Sequence, residues 1–154
     1  VITFGKASLA VRATLAPPLV VLVDDVAGFV PAKFDFSLIC GFRDKVAQAK
    51  AFADKASTKQ WPDSMHNVMR EGKPFSLAVD VAPYDVDLKA PAWKDDLRIA
   101  RLIGIFDARA IALRIPIRVG LDFDGDGKSR GDERFIDAWH IELDGELARQ
   151  YGRG

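Results

Sequence analysis

Apolar and polar positions divide the chain into segments of different period. After Pro17 and Pro18, "LVVLVDDVAGFV" carries apolar residues at the spacing of a buried helix, closed by Gly28 and Pro31. "KFDFSLICGF" alternates, with Phe34, Phe36, Leu38 and Cys40 on one face, and predicts a strand. "RDKVAQAKAFADKA" consists of good helix formers and predicts an amphipathic helix with Val46, Ala49 and Ala53 inward. Residues 57–75 are polar, rich in Pro, Asn, Gly and Met, and read as a loop.

"SLAVDVAPY" predicts a second strand, ended by Pro83. A long helix is expected from about Trp93 to Leu113, with Leu97, Ala100, Ile103, Gly104 and Ala108 on its apolar side. "IPIRVGLDF" predicts a third strand and "AWHIEL" a fourth, with an acidic glycine loop between them. Helices first, then short strands with a hairpin-like return, predict an α+β fold: a small, mainly antiparallel sheet of about four strands flanked by helices. At 154 residues one domain is expected, with a core over residues 34–144 and a polar, fraying tail over 145–154.

Composition narrows the function classes. The 22 basic and 22 acidic residues cancel, so no electrostatic footprint for nucleic acid or an anionic membrane is present. The most apolar early stretch is interrupted by Pro17, Pro18, Asp24 and Asp25, and no basic region precedes it; neither a membrane span nor an export leader is expected there. No stable membrane association and a monomeric state are the expectations. Cys40 is the only cysteine, which excludes an intramolecular disulfide and leaves His and carboxylates as the natural zinc ligands.

The chain holds two histidines, His66 in "DSMHN" and His140 in "AWHIEL". Asp80 is a carboxylate inside an otherwise apolar strand, where an unpaired charge is costly and calls for a cation or hydrogen bonds. A catalytic zinc commonly takes three such ligands and leaves a position for water. Each residue also has a plainer reading: His140 as a satisfied core residue beside Trp139, Asp80 as a turn cap before Pro83, His66 as a solvated loop residue.

Taken in order, "CGFRDKVAQ", "SMHN", "LAVDVAP" and "DAWHIEL" resemble the zinc peptidoglycan peptidases that include D-Ala-D-Ala carboxypeptidases, vancomycin-resistance dipeptidases and phage L-alanyl-D-glutamate endolysins. The resemblance runs from about Gly41 to Leu143 and is closest to the phage members. It implies a zinc site on the sheet, with the Ser-x-His motif at Ser64-Met65-His66, the Ala-x-Asp motif at Ala78-Val79-Asp80, and His140 as the last ligand.

The resemblance also assigns roles. The acid three positions before the last ligand, Asp137, is the implied general base toward a metal-bound water. Glu142, two residues beyond His140 on the same strand face, competes for that role but reads better as a group orienting a ligand. Arg43, in "CGFRD" where the family has Gly-Tyr-Arg, is the implied binder of the scissile carbonyl oxygen; a helix-start arginine paired with a surface acid is the alternative. Gln48 is expected to orient Arg43 or His66, and Ser64 to support the His66 motif. His66 and Asp80 stand fourteen positions apart, about twice the family's usual spacing, which leaves the ligand assignment standing and the cleft shape open. In that segment Met65, Met69 and Phe75 either line a cleft or pack.

"DFDGDGKSRGDE", Asp122 to Glu133, fits the spacing of a twelve-residue calcium loop: Asp122, Asp124, Asp126, the Lys128 carbonyl and Glu133 are candidate Ca²⁺ ligands, with Gly127 at the turn. A strand rather than a helix precedes it, so it is no EF-hand, and a solvated acidic turn is the alternative. If calcium binds, it orders the segment leading to Asp137 and His140.

The expected function is a zinc-dependent phage endolysin. It would hydrolyse the stem peptide of bacterial peptidoglycan, at the L-alanyl-D-glutamate bond, by attack of metal-bound water. A D,D-carboxypeptidase or dipeptidase on the same scaffold, and a non-catalytic wall-recognition domain, are the alternatives. Synthesis in the host cytoplasm and action on the wall in the periplasm, reached through a membrane lesion, follow by analogy.

Overall fold

The computed structural model describes residues 1–128 and 137–152. Along them run α1 (Lys6–Arg12), α2 (Pro17–Phe29), β1 (Phe36–Cys40), α3 (Lys45–Ala53), β2 (Met69–Arg70), β3 (Lys73–Pro74), β4 (Ala78–Asp85), β5 (Ala90–Pro91), α4 (Asp96–Leu113), β6 (Ile117–Val119), β7 (His140–Leu143) and α5 (Gly145–Tyr151). The expected α+β architecture is present: an antiparallel sheet in the order β1-β4-β7-β6, with β5 added to the far end of β4.

Strand alternation gives this sheet two unlike faces. Leu38 of β1, Val79 and Val81 of β4, Ile141 and Leu143 of β7 and Val119 of β6 meet Leu19, Leu22, Val23 and Val26 of α2 and Ile99, Leu102, Ile103 and Phe106 of α4 in one core. Each fully buried side chain of this size stabilises by about 1.5–3 kcal/mol. Pro17 opens α2 at a position where its missing N–H costs nothing. Asp95 caps α4 by accepting from the Arg98 amide at 3.0 Å, so that helix starts after Trp93 and Lys94 rather than at them.

Several expectations are corrected. The buried stripe of α4 is Ile99, Leu102, Ile103, Phe106 and Ala110; of the expected set only Ile103 lies on it, while Leu97 is 85% exposed. Ile99, Leu102, Ile103 and Phe106 fill the core beside Ala110, and Ala100, Gly104 and Ala108 face solvent with Leu97. In α3 the fully buried residue is Gln48, and Val46 points outward. β4 continues through Pro83 to Asp85. The expected fraying tail holds α5, whose Ala148 is buried and whose Tyr151 stacks on Phe75 at 6.1 Å. α1, which covers β1 and bonds the Leu38 amide through Ser8 Oγ, had no distinct pattern in the sequence.

The expected loop of residues 57–75 is partly ordered. Ser64 caps a 3₁₀ turn over Met65–Asn67, and β2 and β3 form an exposed hairpin turned by Glu71 and Gly72, both with positive φ. This hairpin takes up the extra length between His66 and Asp80. Bonds from the Phe75 amide to the Val68 carbonyl and from the Leu77 amide to the Met65 carbonyl bring the chain back to the sheet.

Candidate metal centre and cleft

The polar face of the sheet is organised in rows. Cys40 lies opposite Asp80 and Asp80 opposite His140; in the next row Ala78 faces Glu142 and Glu142 faces Arg118. Simple alternation would have put Cys40 with Phe36 and Leu38 on the core face. An irregularity in register between Leu38 and Cys40 adds one residue to β1 and turns Cys40 to the face that carries Asp80. The 3₁₀ turn brings His66 to the same place.

Three side-chain atoms converge. His66 Nε2 lies 3.2 Å from His140 Nδ1, His140 Nδ1 lies 3.1 Å from Asp80 Oδ1, and His66 Nε2 lies 3.3 Å from Asp80 Oδ1. All three residues are buried. Bonds of ~2.0–2.1 Å to a tetrahedral zinc separate neighbouring ligand atoms by ~3.3 Å, so this triangle has the size of one face of such a site.

The outer atoms decide what the inner ones are. His66 Nδ1 stands 2.6 Å from the Gly41 carbonyl, which can only accept, so Nδ1 carries the proton and Nε2 is bare in the neutral ring. His140 Nε2 stands 2.9 Å from Glu142 Oε2, which by the same logic leaves Nδ1 bare. Two lone pairs and a carboxylate oxygen thus face one another, an arrangement that requires a cation between them. A proton can serve. Burial opposes charge on His66, but the Asp80 carboxylate outweighs it and pushes the ring up to about 10. Burial likewise opposes charge on Asp80 and on His140, and their mutual attraction, joined by His66 and Glu142, holds Asp80 well below the usual carboxylate range and raises His140. A divalent ion satisfies the same three atoms at once.

Cys40 also comes within 4.8 Å of His66 and Asp80, a donor set compatible with zinc. Its sulfur, however, sits 4.0 Å from His66 Nδ1, the nitrogen already committed to Gly41, and accepts from Arg43 Nε at 3.2 Å. The geometry therefore favours His66, Asp80 and His140 as the set that could hold an ion.

Around the triangle lies a layer of supports. Arg118 holds Glu142 from the neighbouring strand, Nε at 3.1 Å and Nη2 at 2.9 Å, so a line of contacts runs from Arg118 through Glu142 to His140. Burial opposes ionisation of Glu142; His140 and Arg118 prevail and lower it. Arg43 donates to the other oxygen of Asp80 at 2.7 Å and lines the cleft. The helix-start arginine expected as its plainer reading would pair with a surface acid; its partner is instead this buried one.

Among the described residues, Gln48 directs its hydrogen bonds to groups other than the Arg43 side chain and His66. Its Oε1 accepts from Asn67 Nδ2, and its Nε2 donates to Ser57 Oγ and the Lys59 carbonyl. Asn67 in turn donates to the Arg43 carbonyl and accepts from the Ser64 amide. Ser64 Oγ accepts from the His66 amide. Asn67 and Arg118 are the residues that sequence reasoning missed; their only signals were an amide next to a candidate ligand and a charge in the middle of a strand.

Asp137 stands at the entrance to β7, with a carboxylate oxygen within 4.8 Å of the ligand atoms of Asp80 and His140. Burial and the Asp80 charge raise its pKa. Asp137, Arg43, His66, His140, Glu142 and Arg118 line a cleft of about 410 Å³, with Ser57, Lys59, Met65 and Phe123 on its walls. Met65 therefore lines the cleft; Phe75 packs against the core and α5, and Met69 is exposed on the hairpin.

In the acidic loop, the carboxylates of Asp122, Asp124 and Asp126 gather within 4.8 Å. They accept from the loop's own amides: Asp122 from those of Asp126 and Gly127, Asp124 from that of Asp126, Asp126 from that of Lys128. Lys128 Nζ adds an ion pair with Asp126 at 2.7 Å. Among the described residues these carboxylates are thus bonded within the loop itself, and calcium is unsupported. Glu133 lies outside the described residues.

Comparisons with known proteins bear on the fold and the family. No curated protein matches the chain. The L-Ala D-Glu endopeptidase ChiX of Serratia marcescens is similar in fold, with a TM-score of 0.63 at 19% identity, over 92% of this chain and 89% of that one. A family profile described as phage L-alanyl-D-glutamate peptidase matches residues 1–144. The chain therefore belongs to the phage L-alanyl-D-glutamate peptidase family, enzymes that act on peptidoglycan.

Proposed function

We propose that this protein is a zinc-dependent endolysin that hydrolyses the L-alanyl-D-glutamate bond of the stem peptide. The observation that carries the zinc assignment is the triangle of His66 Nε2, Asp80 Oδ1 and His140 Nδ1, two bare nitrogens and a carboxylate oxygen held at zinc-ligand spacing. Zinc held there would supply Lewis acidity and bring the pKa of water near ~7. Family membership supports the bond cleaved.

The chain's own residues supply the rest. Gly41 and Glu142 fix the tautomers that turn both rings inward. Asp137, raised by burial and by Asp80, is poised to take a proton from a water in the cleft. The resulting hydroxyl adds to the alanyl carbonyl carbon; the C–N bond then breaks, and Asp137 returns the proton to the amine of D-glutamate. Arg43 brings positive charge to the cleft wall where the carbonyl oxygen becomes negative.

Protein purified without chelator should carry one zinc per chain, and digested peptidoglycan should yield fragments with a new N-terminal D-glutamate by mass spectrometry. Asp137→Ala should keep the zinc and lose about 10²–10⁴-fold in kcat. Absence of zinc sinks the metal assignment, release of terminal D-alanine redirects the activity to a carboxypeptidase, and intact peptidoglycan points to a recognition domain.

A further inference from the structure

We infer that Gly120, the residue that follows β6, is the positioning residue that seats Asp137 in the cleft; the inference rests on Asp137 acting as the base. Gly120 is buried, and its φ lies outside the left-handed region, so backbone conformation does not demand glycine there. Space does. A Cβ added to Gly120 would stand 1.9 Å from the Asp137 carbonyl oxygen and 2.8 Å from its carbonyl carbon. Those are main-chain atoms, which cannot swing aside as a side chain would. Real Cβ contacts essentially never fall below 3.0 Å, so any side chain at this position forces the Asp137 carbonyl away by about 1 Å.

Hydrogen bonds fasten the two segments together. The Asp137 amide donates to the Gly120 carbonyl at 2.9 Å, and the Gly120 amide donates to the His140 carbonyl at 2.8 Å. The crowded Asp137 carbonyl also accepts from the His140 amide at 3.0 Å, closing the turn between the base and the last ligand. The two ends of that turn are held unequally. Among the described residues His140 is paired across the sheet with Asp80 and held at its ring by Glu142, whereas the Asp137 main chain is held by Gly120 and the turn. A clash at the carbonyl is therefore relieved by moving Asp137. Gly28, in the exposed part of α2, has nothing within 4 Å of its would-be Cβ and serves as the control.

The test compares Gly120→Ala, Gly28→Ala and Asp137→Ala with the unaltered zinc-loaded enzyme, by kcat, KM and zinc affinity. Gly120→Ala should lower kcat about 100-fold, the loss that a ~1 Å misplacement brings, with KM and zinc affinity held. Gly28→Ala should keep full kcat. Unchanged kcat in Gly120→Ala overturns the inference; so does a parallel loss of zinc affinity, which would put the clash on His140. Asp137→Ala tests the base reading alone: full activity there fails that reading whatever Gly120 does. Amide exchange on the unaltered protein needs no variant to fold. The Asp137 amide should exchange about 100-fold more slowly than an open chain, and exchange at the open-chain rate overturns the seat.

Discussion

The two faces of β4 and β7 are built from alternate residues of the same few positions, yet they obey different rules. On one face Val79, Val81, Ile141 and Leu143 are held by contact with α2 and α4. On the other, Asp80, His140 and Glu142 are held by directional bonds to His66, Arg43 and Arg118. The apolar face tolerates a change of shape at a graded cost, because packing energy is spread over many small contacts. The polar face cannot, because its few atoms depend on one another through directional bonds and an unsatisfied buried charge is expensive. Stability and chemistry are thus separated by a single step along the strand.

Four experiments would break or sharpen that contrast. The largest effect is expected from Asp80→Asn, which keeps the volume and removes the charge: zinc uptake and hydrolysis should fall to background, measured by metal analysis and peptidoglycan digestion. Retained zinc would mean that the polar face does not act as a unit. Ile141→Ala, on the opposite face, should cost about 2–5 kcal/mol in urea unfolding while the folded fraction keeps its zinc affinity. Zinc loss beyond the unfolded fraction would show that the faces are not separable.

Glu142→Ala should weaken zinc binding about 10- to 100-fold, the usual cost of losing a partner that orients a ligand. An effect as large as that of Asp80→Asn would make Glu142 a ligand in its own right. The most graded effect concerns pH. In metal-free protein, burial opposes charge on His66 but Asp80 outweighs it, so the folded pKa of about 10 exceeds the unfolded ~6.5. That stabilisation is full below about 6.5 and lost as pH rises toward about 10. Urea melts of chelated protein should show stability falling across this range, and bound zinc should shrink the slope by taking the proton's place. A flat profile without metal would mean that no proton occupies the triangle.

Legibility follows the same division. Asp80 and His140 stood out because a charge or an imidazole among aliphatics breaks an apolar run, and the ordered motifs joined them to His66. The position of Cys40 was misread because alternation has no means of announcing an added residue in β1. The stripe of α4 was misplaced because Ala and Gly fit either side of a helix, whereas Ile99, Leu102, Ile103 and Phe106 together fill one side. α5 was missed because a polar seven-residue helix is held by Tyr151 on Phe75 and by burial of Ala148, contacts remote in sequence. Arg118 escaped because its partner, Glu142, becomes its neighbour only once β6 and β7 pair.

The two histidines differ in what holds their outer nitrogens, a main-chain carbonyl for His66 and a side chain for His140. No point mutation can delete a carbonyl oxygen; at Gly41 one can only crowd it, since an added Cβ would meet Thr14 Oγ1 at 2.3 Å. Glu142 can be lost through a single codon change. The His140 arm can therefore be opened by removing one side chain with the backbone left in place, whereas the His66 arm can be loosened only by moving the main chain.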